Sequence, residues 1–258
     1  MNIYGLTDRG LIREVNEDSI GITCLNNGIT IALVCDGMGG AAGGKIASAI
    51  AEEVFTASMN AYASELDCSK IDSKKMKNAI LDSVETANSA IMARAKEDLS
   101  LFGMGCTLNA IVLCEQKGKL YFANAGDSRL YMITSKEIKQ LTKDHSYVQM
   151  LVDNKEISEE EAENHPQKNL ITKALGIQNY ADPDVSDVKL KKKGVTYFLL
   201  CSDGLHGMLE KSHLHRIAIS DASVQEKVFT YIKLANEAGG HDNISAILLE
   251  INKEEVTK

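Results

Sequence analysis

The chain has 258 residues, with 28 Lys and Arg against 36 Asp and Glu, a net charge of −8, and 44% hydrophobic residues. That balance describes a soluble globule and excludes a disordered chain. An acidic chain with no Trp and 5% aromatics lacks the cationic face and stacking platforms of a general nucleic-acid binder.

No stretch approaches the ~18 consecutive apolar residues of a membrane helix, and the opening MNIYGLTDRG has neither the basic nor the apolar region of a secretory signal. The six cysteines fall at irregular gaps without a C-x-x-C pair, and Cys35, Cys114 and Cys201 lie in or end apolar runs. They read as buried thiols, which places the chain in the cytoplasm.

In chain order, ITIALVC (29–35) reads as a strand. Two helices follow. Residues 44–63 carry Ile46, Ile50, Val54, Ala57 and Ala61 on one face, and residues 73–98 carry Met76, Ile80, Val84, Ala87, Ile91 and Ala95. Each has a single apolar stripe, so each is expected to lie on a sheet. Strands are expected at 107–114, 119–125, 129–134, 195–201 and 244–251. Lys117-Gly118 joins the first pair as a hairpin, and Gly126-Asp127-Ser128 reads as a second tight turn between antiparallel neighbours. A last helix starts at Ser223, where Ser223-x-x-Glu226 matches a capping box, and stops near Gly239. The stretch 142–188 is polar, contains SEEEAENHP and offers only short helical pieces such as 146–153. It reads as a surface flap inserted in a single domain spanning 1–258.

Aspartates mark the strand ends. Asp36 follows 29–35, Asp127 follows 119–125, Asp203 follows 195–201, and Asp242 precedes 244–251; Glu17 and Asp18 add two acids upstream. Two unit charges ~4 Å apart at an effective dielectric of ~20 repel by ~4 kcal/mol. If these acids converge, cations must hold them together, and an all-oxygen ligand set selects Mg²⁺ or Mn²⁺. Taken singly, each acid has a plainer reading as a turn residue or a helix N-cap. Gly39–Lys45 also fits the spacing of a nucleotide-binding G-x-x-x-x-G-K loop. Ile46 stands where the Mg²⁺-binding hydroxyl belongs, so these glycines read instead as a close passage between strand end and helix start.

Taken together, the motifs resemble the metal-dependent Ser/Thr protein phosphatases of the 2C type. They are Thr7-Asp8-Arg9-Gly10 through Arg13, Asn16 and Asp18; Val34-Cys35-Asp36-Gly37-Met38-Gly39-Gly40; Gly105-Cys106-Thr107-Leu108; Asn124-Ala125-Gly126-Asp127-Ser128-Arg129; Leu141-Thr142-Lys143-Asp144-His145-Ser146; Ile171-Thr172-Lys173-Ala174-Leu175-Gly176; Cys201-Ser202-Asp203-Gly204; and Gly239-Gly240-His241-Asp242-Asn243-Ile244-Ser245. They occur in the family's order over about residues 3 to 251. The compact length and the Met after Asp36-Gly37 look like the bacterial branch.

The resemblance implies an α+β fold: a four-layer α/β/β/α sandwich around a central antiparallel β-sandwich. It implies two Mn²⁺ or Mg²⁺ ions, with a third in some members. Asp36 would bridge them, with Gly37 (through its carbonyl), Asp203 and Asp242 as further ligands. Glu17 and Asp18 would hold the second position directly or through water, and Asp127 would join Asp203 at the third. Arg13 would grip the phosphate, and water activated between the ions would hydrolyse phosphoserine or phosphothreonine. Met38 stands where many members have His, so His145, His206 and His241 are weaker candidates for the acid that serves the leaving group. Gly207 stands where some members have an acid. Phosphoproteins are the implied substrates and a Ser/Thr kinase the opposing enzyme, with the chain working as a monomer without nucleic acid or membrane. Nucleotide binding and a non-catalytic phosphopeptide scaffold are the competing readings.

Overall fold

The computed structural model describes residues 1–39, 43–177, 182–191 and 193–253. Gly40, Ala41 and Ala42 of the glycine-rich run lie outside the described residues. The strands are β1 (Asn2–Asp8), β2 (Ser19–Cys24), β3 (Ile29–Cys35), β4 (Gly37–Met38), β5 (Gly105–Cys106), β6 (Leu108–Cys114), β7 (Lys119–Ala125), β8 (Arg129–Ile133), β9 (Ile138–Gln140), β10 (Asp184–Lys189), β11 (Gly194–Cys201) and β12 (Ile244–Lys253). The helices are α1 (Gly43–Ala63), α2 (Ser73–Glu97), α3 (Tyr147–Asp153), α4 (Glu159–Glu163), α5 (Asp203–His206), α6 (Lys211–Ala218) and α7 (Val224–Glu237).

Two five-stranded antiparallel sheets, β1-β12-β11-β8-β9 and β10-β7-β6-β3-β2, pack face to face. The central strands read as mostly apolar runs rather than alternating ones because they are largely buried on both faces. Along β3, Ile29, Ile31, Leu33 and Cys35 point into one core, while Ala32 and Val34 point into another. The core between the sheets joins Val34, Ile111 and Leu113 to Phe198, Leu200, Ile247 and Leu249. Outside the second sheet, Ala47, Ala51, Phe55 and Met59 of α1 and Met76, Ile80, Val84 and Ile91 of α2 form a second core. Outside the first, Leu214 of α6 and Val228, Tyr231 and Ala235 of α7 form a third with Leu199 and Leu248. This is the four-layer sandwich the resemblance implies, and both long helices lie on a sheet; α2 buries the stripe read from its sequence, whereas α1 is turned by about one residue from the expected face, burying Ala47, Ala51, Phe55, Met59 and Ala63 and leaving Ala57 and Ala61 exposed. The capping box at Ser223 and Glu226 is formed.

Three readings need correction. Gly126-Asp127-Ser128 is no hairpin turn: β7 pairs with β6 and β10, whereas β8 pairs with β11 and β9, so this turn carries the chain from one sheet to the other. Residues 184–188, assigned to the flap, belong to edge strand β10, which pairs with β7. The segment DVSDVK escapes a hydrophobic reading because charges suit an edge. Strands β1 and β2, both at sheet edges and partly exposed, were not expected at all. Among the described residues, no helix is long and apolar enough to cross a membrane. All six cysteines are free.

Candidate functional site

The strand registers gather the acids. Ser19 pairs with Cys35, and Cys201 pairs with Ala246. The start of β2, the end of β3, the end of β11 and the start of β12 therefore share one end of the sandwich, and the crossover at Asp127 arrives there too. A cleft of about 590 Å³ opens at this end, lined by Arg13, Glu14, Val15, Glu17, Asp36, Gly37, Met38, Gly39, Asp127, Asn169, Leu170, Ile171, Asp203 and Asp242. Every expected site residue except Asp18 faces it. Asp18 is buried, its Oδ2 accepting from the hydroxyls of Ser245 at 2.6 Å and Ser202 at 2.9 Å.

Backbone contacts hold the floor. The Asp36 N–H donates to Thr107 Oγ1 at 2.9 Å, the Thr107 N–H donates back to the Asp36 carbonyl at 2.8 Å, and Thr107 Oγ1 lies 2.8 Å from Ser128 Oγ. The end of β3 is thus tied to the crossover bearing Asp127. A Cβ on Gly37 would collide with the carbonyls of Gly44 and Glu17, so three segments meet there only because it is glycine. The same packing accounts for Gly44, in agreement with the close-passage reading of the glycine-rich run. Lys45 is exposed and does not line the cleft.

The acids repel and are desolvated together. Burial, then Asp18, Asp203, Asp127 and Asp242, push the Asp36 carboxyl well above its usual range. Burial pushes Asp127 up to about 8, with Asp203 and Asp144 adding to it. It pushes Asp18 up to about 7, against the two serine hydrogen bonds. Asp203 is raised by burial and by Asp242, and this is offset by a hydrogen bond from Asp36.

Three buried carboxylate oxygens here, Glu17 Oε1, Asp18 Oδ1 and Asp203 Oδ1, have no hydrogen-bond donor. An unsatisfied buried polar atom costs ~1–3 kcal/mol, more if charged. Among the described residues, no three His, Cys, Asp or Glu side chains close on one point as a finished chelate; the acids surround the cleft instead. Part of the charge is met by Arg13, whose half-exposed guanidinium donates to Asp242 Oδ2 at 2.7 Å. Donorless oxygens, raised carboxyls and an all-oxygen donor set together fit hard divalent cations.

The histidines lie elsewhere, and none of the three candidates lines the cleft. His206 is half-buried, with Nε2 3.1 Å from the Asp127 carbonyl. His145 Nδ1 accepts the Gly126 N–H at 3.2 Å, and its Nε2 lies 3.2 Å from Asp184. Burial lowers both below the usual imidazole value. They brace the Asp127 turn from two sides.

The sequence reading missed Thr107, Ser202, Ser245 and Asn243. Their signal was a small polar residue within two positions of a strand end, inside motifs already noted. Asn169, Leu170 and Ile171 bring the flap into the cleft wall; Ile171 opens a noted motif, but nothing in the sequence marked Asn169 and Leu170.

The family model for protein phosphatase 2C matches residues 13–248. The serine/threonine phosphatase stp of Listeria welshimeri is 36% identical over 246 residues, covering 95% of this chain and 94% of that protein. The serine/threonine phosphatase structure of S. agalactiae superposes with a TM-score of 0.85 at 33% identity, covering 97% of this chain and 99% of that one. The catalytic domain of the serine threonine protein phosphatase PstP, in complex with two manganese ions, superposes with a TM-score of 0.80 at 30% identity, with 96% of each chain covered.

Proposed function

This chain belongs to the protein phosphatase 2C family, and from that premise we propose that it is a serine/threonine phosphoprotein phosphatase of the bacterial type whose cleft acids hold Mn²⁺ or Mg²⁺. The carrying observation is the set of donorless buried oxygens on Glu17, Asp18 and Asp203 in a cleft that also presents Arg13. Asp36, the Gly37 carbonyl, Asp203 and Asp242 would hold two ions, with Glu17 and Asp18 supporting them and Asp127 serving a third with Asp203. When bound, the ions supply Lewis acidity for forming hydroxide near neutral pH and offset the charge of the phosphoryl group.

The chain's own residues do the rest. Arg13 exchanges Asp242 for two phosphate oxygens, and its planar fork fixes the ester in line for attack. Thr107 and Ser128 keep Asp36 and Asp127 at a fixed separation, so the acids need not reorganise as the reaction proceeds. No imidazole lines the cleft among the described residues, so the departing serine or threonine oxygen takes its proton from solvent in the cleft.

We infer phosphoproteins as substrates and a Ser/Thr kinase as the opposing enzyme, since such an enzyme must supply the ester. Six free cysteines support a reducing cytoplasm. Because one chain carries the whole cleft, a monomeric enzyme spanning 1–258 as one catalytic unit is sufficient. The test is phosphate release from a phosphothreonine peptide with added Mn²⁺. Turnover abolished by chelator and by Asp36→Asn is expected; tight peptide binding without phosphate release would replace the enzyme with a phosphopeptide-binding protein.

A further inference from the structure

Exposed apolar side chains stand in the two segments that supply walls of the charged cleft. Leu11 and Ile12, immediately before Arg13, are each 64% exposed, and Val15 just beyond it is 38% exposed. Leu170 of the flap is 51% exposed. Val15 and Leu170 line the cleft itself. Large apolar side chains grouped around a functional opening, rather than scattered singly, mark a surface that is covered by a partner.

These side chains are held out by their backbones. The N–H groups of Leu11 and Ile12 both donate to the Gly240 carbonyl, at 2.8 and 3.3 Å. Leu170 donates to the Gln167 carbonyl at 3.1 Å and accepts from the Tyr147 N–H at 2.8 Å. The loop tip and the flap turn are therefore fixed in shape, and their apolar side chains stay in solvent until something covers them. The occupant follows from what they adjoin. Arg13 is the single cation among the described residues lining the cleft, and it is set aside for the phosphate. Glu14, Glu17 and Asp242 face the same opening and repel acidic neighbours of that phosphate.

We propose that Leu11, Ile12 and Val15, which flank Arg13 in sequence, and Leu170 of the flap form a docking rim that selects phosphoprotein segments with aliphatic or aromatic residues flanking the phosphorylated residue. The inference rests on the phosphatase reading and adds to it a substrate class. The phosphate enters beside Arg13, the flanking side chains cover the rim, and acidic flanks are turned away by Glu14.

The test uses phosphothreonine peptides of one length whose two residues on each side of the phosphothreonine are Leu, Ser, Lys or Asp. Each is assayed with Mn²⁺ on the wild-type protein and on the Ile12→Asp and Leu170→Asp variants, with p-nitrophenyl phosphate in parallel. In the wild type, kcat/KM for the Leu-flanked peptide is expected to exceed the Ser-flanked one by about tenfold, the gain from covering one or two apolar side chains. The Asp-flanked peptide is expected to be the poorest. In each variant the Leu-over-Ser ratio should fall below about threefold. Equal rates for Leu- and Ser-flanked peptides in the wild type, or an undiminished ratio in both variants, would overturn the rim while p-nitrophenyl phosphate turnover left the phosphatase reading standing. Sedimentation showing a dimer that Ile12→Asp dissolves, with no peptide preference, would assign the face to a second copy and also overturn it. No turnover of any substrate would remove the phosphatase reading, and the rim with it.

Discussion

The side-chain carbonyl of Asn243 accepts the backbone N–H of Glu17 at 2.8 Å, while the amide nitrogen of Asn243 donates to the carbonyls of Arg9 at 2.9 Å and Val15 at 3.0 Å. One buried side chain thus spans the base of the loop that presents Arg13, and its two ends are chemically fixed: oxygen toward the N–H, nitrogen toward two carbonyls. Asn243→Asp keeps the shape and the bond to Glu17 but turns a carboxylate oxygen against two carbonyls. Leaving both without a donor is expected to cost ~2–4 kcal/mol by urea denaturation. The KM for a phosphopeptide should rise with it. If Asn243 acts through the loop, that KM effect shrinks in an Arg13→Ala background. Full additivity with Arg13→Ala would show that the two residues act independently.

Arg13 and Asp242, joined at 2.7 Å, carry a second prediction. The guanidinium occupies an oxygen that a divalent cation is proposed to use, so arginine and cation compete for it. Arg13→Ala should raise the KM for phosphopeptide by about tenfold or more. It should also strengthen Mn²⁺ binding measured by calorimetry without substrate. Arg13→Lys should recover little of the KM, because an ammonium lacks the planar fork. Weaker Mn²⁺ binding in Arg13→Ala would contradict the competition.

The raised carboxyls make the metal-free protein sensitive to pH. Asp127 at about 8 and Asp18 at about 7 hold protons that the unfolded chain, titrating near ~3.9, has already released. Between those values the folded state binds more protons than the unfolded one, so stability falls as pH rises. His145 and His206, lowered by burial, act in the opposite sense below the imidazole value of ~6.5 and drop out above it. The clean window is therefore pH ~6.5 to ~8, where the chelated protein should lose roughly 2 kcal/mol. Saturating Mn²⁺, by keeping the acids ionised in the folded state, should flatten the dependence. Melting curves with and without chelator decide it, and a chelated protein that gains stability across that window would refute the assignment.

How much of this was legible follows the chemistry of each segment. The strands 29–35, 107–114, 195–201 and 244–251 were readable because both faces are largely buried, so most of their residues are apolar. Strands β1, β2 and β10 were not, because edge strands are short of apolar residues and carry the glycine and charge that edges tolerate. Asp36, Asp203 and Asp242 were visible as acids abutting apolar runs. The turn at Asp127 was misread because Gly-Asp-Ser suits a hairpin and a sheet-to-sheet crossing equally, and only the pairing of β8 with β11 separates the two. Asn243 stood inside a noted motif, but its role was not legible there, because its partners Arg9, Val15 and Glu17 are more than 220 positions away in sequence.

Next to that crossover, Arg129 and Asp144 form a largely buried ion pair, with Arg129 Nη2 2.7 Å from Asp144 Oδ2 and Nε 3.0 Å from both carboxylate oxygens. Tyr131 and Gln140 complete the set, through a bond from Arg129 to the tyrosine hydroxyl and one from Gln140 to Asp144. Taking one charge away leaves the other buried with little compensation, and such losses run to ~3–5 kcal/mol. Arg129→Met should therefore destabilise the protein by about 3 kcal/mol, the low end because the arginine keeps some contact with water. The paired replacement Arg129→Met with Asp144→Leu should recover most of that loss, since an apolar pair of similar volume avoids desolvating either charge. Urea denaturation of the two single variants and the double closes the cycle. A double variant less stable than Arg129→Met alone would mean that the pair contributes net stability rather than fixing the geometry of the Asp127 turn.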